Sequence, residues 1–202
     1  GSEMCIIDSS YNGRNNTRGI NWGQNLTAEN GLEIQGEITY KGGTYSTDPK
    51  DYGKPWYFKL GGQYHTGRIY NNVYNTQGQP TALAGGERET LYGNAQIYAS
   101  TEAMLYRVPG SYSRGLTAFA KLGGGFWDDR NVVKSWYTIG LGYEGLFAQR
   151  PRDVAYLGWA MLQGTSGFIQ NQELLPPCRN VPGCMVTGTQ NTLELGYSME
   201  LS

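Results

Sequence analysis

The sequence predicts an all-β fold, an antiparallel transmembrane β-barrel whose strands meet lipid on one face and water on the other. Three observations predict it. Apolar residues alternate with small or polar ones at period two, and the pattern recurs along most of the chain. The 202 residues include 30 Gly and 16 Tyr, yet only 16% are charged and the mean hydropathy is −0.51. The connections between alternating segments are never helix-length crossovers, so neighbouring strands should pair antiparallel. A secreted β-sandwich would share the composition, and one alternating strand would not separate the two. The repetition favours the barrel.

Taken in order, Glu3–Ile7 reads as a short strand remnant and Asp8–Asn30 as loop, so residues 1–30 are poorly defined. In Leu32–Tyr40, Leu32, Ile34, Ile38 and Tyr40 share a face against Glu33, Gln35, Glu37 and Thr39. Lys41–Pro55 is a turn-rich linker, too long for a plain turn unless it is elaborated or hides a strand. Trp56–His65 follows, with Trp56, Phe58, Leu60, Gly62 and Tyr64 opposite Tyr57, Lys59, Gly61, Gln63 and His65. Its eight steps at about 3.3 Å, tilted by about 40°, span roughly 20 Å of membrane, with an aromatic at each end of the band. Thr66–Glu89 reads as a Gly/Asn/Gln-rich connection, and Leu91–Arg107 as one long strand or two joined by a bulge. Gly115–Leu122, Trp136–Phe147, Asp153–Leu162 and Thr192–Leu201 complete seven clear strands. In the second of these, Tyr137, Ile139, Leu141 and Tyr143 oppose Thr138, Gly140, Gly142 and Glu144. Val108–Arg114 and Ala148–Arg152 are short connections. Phe126–Lys134 and Gly164–Asn191 are the outer loops between and after them, which is the short-turn, long-loop rhythm of a membrane barrel.

Composition excludes several classes. A net charge of −1 without a basic stripe gives no footprint for nucleic acid. No window of about 18 apolar residues is present to make a transmembrane helix. The glycine pairs and triplets lack the strand–loop–helix setting of a phosphate cradle. One histidine and three cysteines do not make a structural zinc set, so neither metal nor cofactor is expected. No secretory signal opens the chain, and both ends read as cut.

Several runs together resemble the carbohydrate-selective outer-membrane porins of the porin B family. They are Met104-Leu-Tyr-Arg107, Arg114-Gly-Leu-Thr-Ala-Phe-Ala120, Gly140-Leu-Gly-Tyr-Glu-Gly-Leu146, Arg150-Pro-Arg-Asp153 and Thr192-Leu-Glu-Leu-Gly-Tyr197. The likeness is good over Leu91–Tyr197 and fair over Leu32–Tyr64. It implies a sixteen-stranded barrel with a narrow, water-filled, sugar-selective pore in the outer membrane of a Gram-negative bacterium. Such a barrel needs roughly twice this chain, at about ten residues per strand plus loops. Residues 1–202 would then be a single barrel domain, an incomplete segment of a larger porin. The implied activity is passive diffusion, not catalysis. The implied partners are membrane lipid and lipopolysaccharide, mono- or oligosaccharide solutes, and further copies or other envelope proteins.

A sugar pore needs hydrogen-bonding groups to replace hydration, aromatic faces for sugar rings, and charges that set a field. The faces opposite the apolar ones supply Glu33, Gln35, Glu37, Lys59, Gln63, His65, Phe119, Lys121, Trp136 and Glu144 as pore-lining candidates. Any of these could equally serve interior charge pairing. Arg150, Arg152 and Asp153 read as a turn–carboxylate arrangement. Glu33/Glu37 and Glu194/Glu200 would be the acidic pairs of a barrel enzyme, the competing class, but no catalytic residue is assigned. Cys178 and Cys184 flank Pro182-Gly183, a turn signal that could bring them into disulfide range in the loop Gly164–Asn191. Two unpaired loop thiols are the alternative.

Overall fold

The computed structural model describes residues 2–9, 31–45, 47–48, 50–51, 53–176 and 178–200, with only the backbone of 2–9. The expected loop over residues 10–30 lies outside the described residues. Eight strands form one sheet in sequence order: β1 (Ser2–Ser9), β2 (Glu33–Gly42), β3 (Trp56–Asn75), β4 (Arg88–Arg107), β5 (Gly115–Gly125), β6 (Val133–Glu144), β7 (Val154–Gly164) and β8 (Thr189–Ser198). Every neighbouring pair is antiparallel, and β1 and β8 form the two ends of the sheet. Two short helices, α1 (Thr81–Ala84) and α2 (Ser166–Glu173), lie in connections.

The alternation seen in sequence becomes an inside-out burial pattern. Along β2 the polar residues Glu33, Gln35, Glu37 and Thr39 are half-buried, while Ile34, Ile38 and Tyr40 are exposed. The same inversion opens β3, where Phe58 and Leu60 are each 44% exposed beside half-buried Tyr57 and Lys59. Val73, Met104 and Cys178 are the only buried apolar side chains among the described residues. A sandwich buries its apolar faces against a second sheet about 10 Å away. Here no second sheet covers them among the described residues, so the arrangement is that of a barrel wall. Tyr40 and Trp56 lie ring to ring at 5.3 Å at one border of the apolar band, and Tyr64 stands at the other.

Two connections depart from expectation, and a third takes one of its two expected forms. The segment Thr66–Glu89 is not simply loop: β3 continues to Asn75 and β4 starts at Arg88, with pairing shifts after His65 and after Tyr70. These shifts are bulges, where the strand pair twists and re-aims its side chains. The side-chain oxygen of Asn71 accepts from the backbone N–H groups of Val73 (2.8 Å) and Tyr74 (3.0 Å), and that of Asn75 from Gln77 (3.0 Å) and Gln79 (2.9 Å), so asparagines close the hairpin end. Residues 165–188 contain helix α2, capped by Thr165, whose hydroxyl also donates to the carbonyl of Asn131 at 2.7 Å. Cys178 and Cys184 are disulfide-bonded in the same connection, with Cα atoms 5.2 Å apart. Residues 43–55 hold no strand among those described, so the long turn is an elaborated one.

The ends of the remaining strands shift by a few residues. Strand β6 stops at Glu144 rather than running to Phe147, because Gly145, at φ 70°, turns the chain and its N–H donates to the carbonyl of Asp153 at 2.8 Å.

Candidate functional site

Register converts the polar face of each strand into rows that cross the sheet. One row runs Glu37, Gly61, Tyr98, Gly123, Trp136, Leu162. The next runs Thr39, Lys59, Ser100, Lys121, Thr138, Ala160. A third runs Lys41, Tyr57, Glu102, Phe119, Gly140, Gly158, Glu194. Charged groups and aromatic rings therefore sit beside one another on one wall.

The tightest cluster joins three strands. The Lys59 ammonium donates to Glu37 Oε1 at 3.0 Å, and the Tyr98 hydroxyl donates to Glu37 Oε2 at 2.7 Å. Thr39 donates to the same carboxylate at 3.2 Å. The Lys59 ammonium also lies 5.8 Å from the centre of the Tyr57 ring, and the Tyr57 hydroxyl reaches Glu102 at 3.5 Å.

Glycines set how the rings lie. A Cβ on Gly61 would fall 2.3 Å from the Tyr98 ring, one on Gly140 2.4 Å from Phe119, one on Gly123 2.7 Å from Trp136, and one on Gly196 2.1 Å from Tyr156. Each is the directly opposed residue on the next strand. The ring occupies the space that a side chain would have filled, so it reaches across its neighbour's backbone.

Of the candidates named from sequence, Glu37 and Lys59 meet directly, while Phe119, Lys121 and Trp136 stand on adjacent strands of the same rows. Gln35 and Gln63 are paired across β2 and β3, and Glu33 faces His65 one row further on. These four belong to the end of the wall nearer the long loops. Glu144 lies at the opposite end, where it accepts from the Ser113 hydroxyl at 2.6 Å. Sequence reasoning left out Tyr57, Tyr98, Glu102 and Tyr156. The first two were legible as polar-face positions. The facing of Tyr156 was not, because both faces of its strand carry apolar residues. The suggested carboxylate pairs do not form: Glu37 is taken by Lys59, Glu194 accepts from Tyr156 at 2.9 Å, and Glu200 pairs with Arg152 at 2.9 Å.

At the β6–β7 turn, Asp153 is 3% exposed. It accepts from the Arg150 guanidinium, from the Tyr197 hydroxyl at 2.7 Å and from the Glu200 N–H at 3.1 Å. The Arg150 hydrogen bond, ahead of the others, holds its carboxyl down to about 2. Arg150 donates further to the Glu200 carbonyl at 3.1 Å, tying the turn to the end of β8.

The carbohydrate-selective porin (OprB) family model matches residues 6–202. The chain belongs to that family. Porin B of Pseudomonas aeruginosa is 28% identical over 159 residues, which is 75% of this chain and 34% of that protein. A high-pH structure of Pseudomonas putida OprB superposes with a TM-score of 0.70 at 24% identity, over 86% of this chain and 41% of that one, and shows the shared fold. The chain thus spans between a third and a half of the length of these relatives. Family membership places it in the Gram-negative outer membrane. The exposed apolar face is then the lipid face, and the polar rows lie on the face opposite it.

Proposed function

We propose that this sheet is part of the wall of a larger, water-filled barrel through which sugars diffuse passively. The open order of eight strands and the share of its relatives that the chain covers support the larger barrel. The observation that carries the sugar reading is the Glu37–Lys59–Tyr98 cluster set among rings that reach over glycines. Sugar hydroxyls exchange hydrogen bonds with charged groups at little cost, and the apolar face of a pyranose rests on an aromatic face. In this reading Glu33, Gln35, Glu37, Lys59, Gln63, His65, Phe119, Lys121, Trp136 and Glu144 line the pore, with Tyr57, Tyr98 and Glu102 added. The Arg150, Arg152 and Asp153 cluster holds a turn rather than a solute. The outward face contacts membrane lipid, with lipopolysaccharide at the extracellular leaflet, and further copies would also meet it there.

Liposomes containing the full-length protein test this. They should swell in monosaccharide solutions at rates that fall as the sugar grows, and release no new reducing ends from oligosaccharides. Absence of swelling with a correctly inserted protein would overturn the reading.

A further inference from the structure

We infer a second sugar site at the mouth that carries the short turns, the periplasmic end of such a barrel, formed where the long turn of residues 43–55 folds against the inner wall between Tyr45, Tyr57 and Glu102. It rests on the sugar-channel reading and extends it, since apart from the shared wall residues Lys41, Tyr57 and Glu102 its groups lie off the lumen rows described above.

The turn is built to stay in place. Arg107, near the end of β4, donates to the carbonyls of Thr44 (2.9 Å) and Asp51. Lys54 donates to the carbonyl of Leu105, and Thr44 to Asp51 at 2.8 Å. Tyr45 stacks on Tyr112 of the next turn, with ring centres 5.0 Å apart and planes 21° from parallel. A plain hairpin turn would need none of these ties. Their combined effect is to hold the turn against the strand ends, and between the two remains a cavity of about 410 Å³ lined by Lys41, Tyr45, Trp56, Tyr57 and Glu102.

The size falls at the small end of ligand pockets, which suits a single sugar ring rather than a chain. The lining suits the same ligand. Tyr45 and Tyr57 bring aromatic faces, and Glu102 accepts from hydroxyls. The field selects further. Burial, then the nearby carboxylate of Glu102, pushes the Tyr45 phenol upward. Lys41 and Glu102 put one charge of each sign on the lining, so the site has no net charge to draw in an acidic sugar. The class of ligand is therefore a neutral monosaccharide. The pocket continues the wall: Tyr57 reaches Glu102 on one side and lies beneath the Lys59 ammonium on the other. A sugar leaving the Glu37–Lys59 cluster meets it next.

Ion current through the full-length protein in a planar bilayer tests the site, with glucose or gluconate added to one side at a time. Glucose on the periplasmic side should block the current, and gluconate should not. Tyr45→Ala should shorten the glucose block about tenfold, the loss of roughly one ring contact. Tyr45→Phe, which keeps the ring and its stack on Tyr112, should retain the block. Glu102→Gln should weaken glucose and let gluconate block. Unchanged glucose block in Tyr45→Ala and Glu102→Gln, with wild-type liposomes still swelling in glucose, would overturn the pocket and leave the channel reading intact. A wild-type protein that neither swells liposomes nor shows block would overturn the channel reading, and the pocket with it.

Discussion

The two faces of this sheet are cut from the same strands and obey different rules. On the outer face, Ile34, Ile38, Leu60, Ile139, Leu141 and Leu195 are all more than 40% exposed, and none depends on a particular neighbour. Lipid accepts any apolar side chain there, so the requirement is one of type, not of identity. On the inner face, Glu37 matters because Lys59 and Tyr98 reach it, and Gly61 matters because Tyr98 lies across it. The outer face is specified residue by residue along each strand. The inner face is specified by register between strands.

The largest expected effect separates the faces directly. Ile139→Arg puts a charge near the middle of the lipid face and should cost about 2–4 kcal/mol. Thr138→Arg, one residue away and facing the lumen, should cost less than about 1 kcal/mol while reducing conductance. Urea unfolding of the full-length protein in lipid, read beside single-channel current, checks both. Equal destabilisation by the two arginines would mean that the faces are misassigned.

A smaller effect compares two glycines on adjacent strands. A Cβ on Gly36 would meet nothing within 4 Å on the lipid face, whereas one on Gly61 would strike the Tyr98 ring. Gly36→Ala should be close to neutral. Gly61→Ala should cost about 1–3 kcal/mol as the ring is displaced, and the Tyr98–Glu37 hydrogen bond with it. Unfolding midpoints and sugar-induced current block would show whether the ring has moved into the lumen. A neutral Gly61→Ala in both measurements would break the rule that register sets the inner face.

This division also explains what the sequence made legible. The membrane-crossing parts of β2, β3 and β5 to β8 could be read within a few residues, because lipid on one side and water on the other enforce period-two alternation. Beyond the band both faces of the β3–β4 hairpin meet water or other loops. Alternation fades there, and its extension to Asn75 and Arg88 could not be read from pattern. The barrel class and the polar face were legible, and so were Glu37 and Lys59 as members of that face. Their meeting was not, because Tyr98 joins them from 61 residues away and only pairing register brings the three together. Nor does any local signal mark Arg107 as the anchor of a turn that begins more than 50 residues earlier.

Lys59→Met addresses charge on the inner face. The pair it removes is partly exposed, with the Lys59 side chain 36% accessible, so stability should fall by less than about 1 kcal/mol. The field should change more. Glu37 keeps its hydrogen bond from Tyr98 but loses the cation, and the wall becomes more negative. Reversal potentials in a salt gradient should shift toward cation selectivity, and Glu37→Gln should shift them the other way. No shift in either variant would place this pair away from the conducting path.

The smallest effect lies in the β6–β7 turn, where the two faces end and neither rule applies. Asp153 is held there by Arg150, Tyr197 and the Glu200 N–H, and its carboxyl is lowered from 3.8 to about 2. A carboxyl lowered on folding stabilises the folded state above its unfolded value, and loses that contribution as pH falls through the folded one. The contribution is therefore complete above about pH 4 and is lost progressively toward pH 2. Asp153→Asn keeps the shape but removes the titration, so its stability should vary less than wild type across that window, while the two proteins keep a constant difference at neutral pH. Thermal unfolding in detergent at a series of pH values reads this difference. Because the turn is tied to the end of β8 through Glu200, the loss should appear as fraying of β8, seen as faster amide exchange at its Tyr197 end, before the membrane band responds. A pH dependence that persists unchanged in Asp153→Asn would move the acid-sensitive group elsewhere, and the lumen carboxylates would be the next place to look.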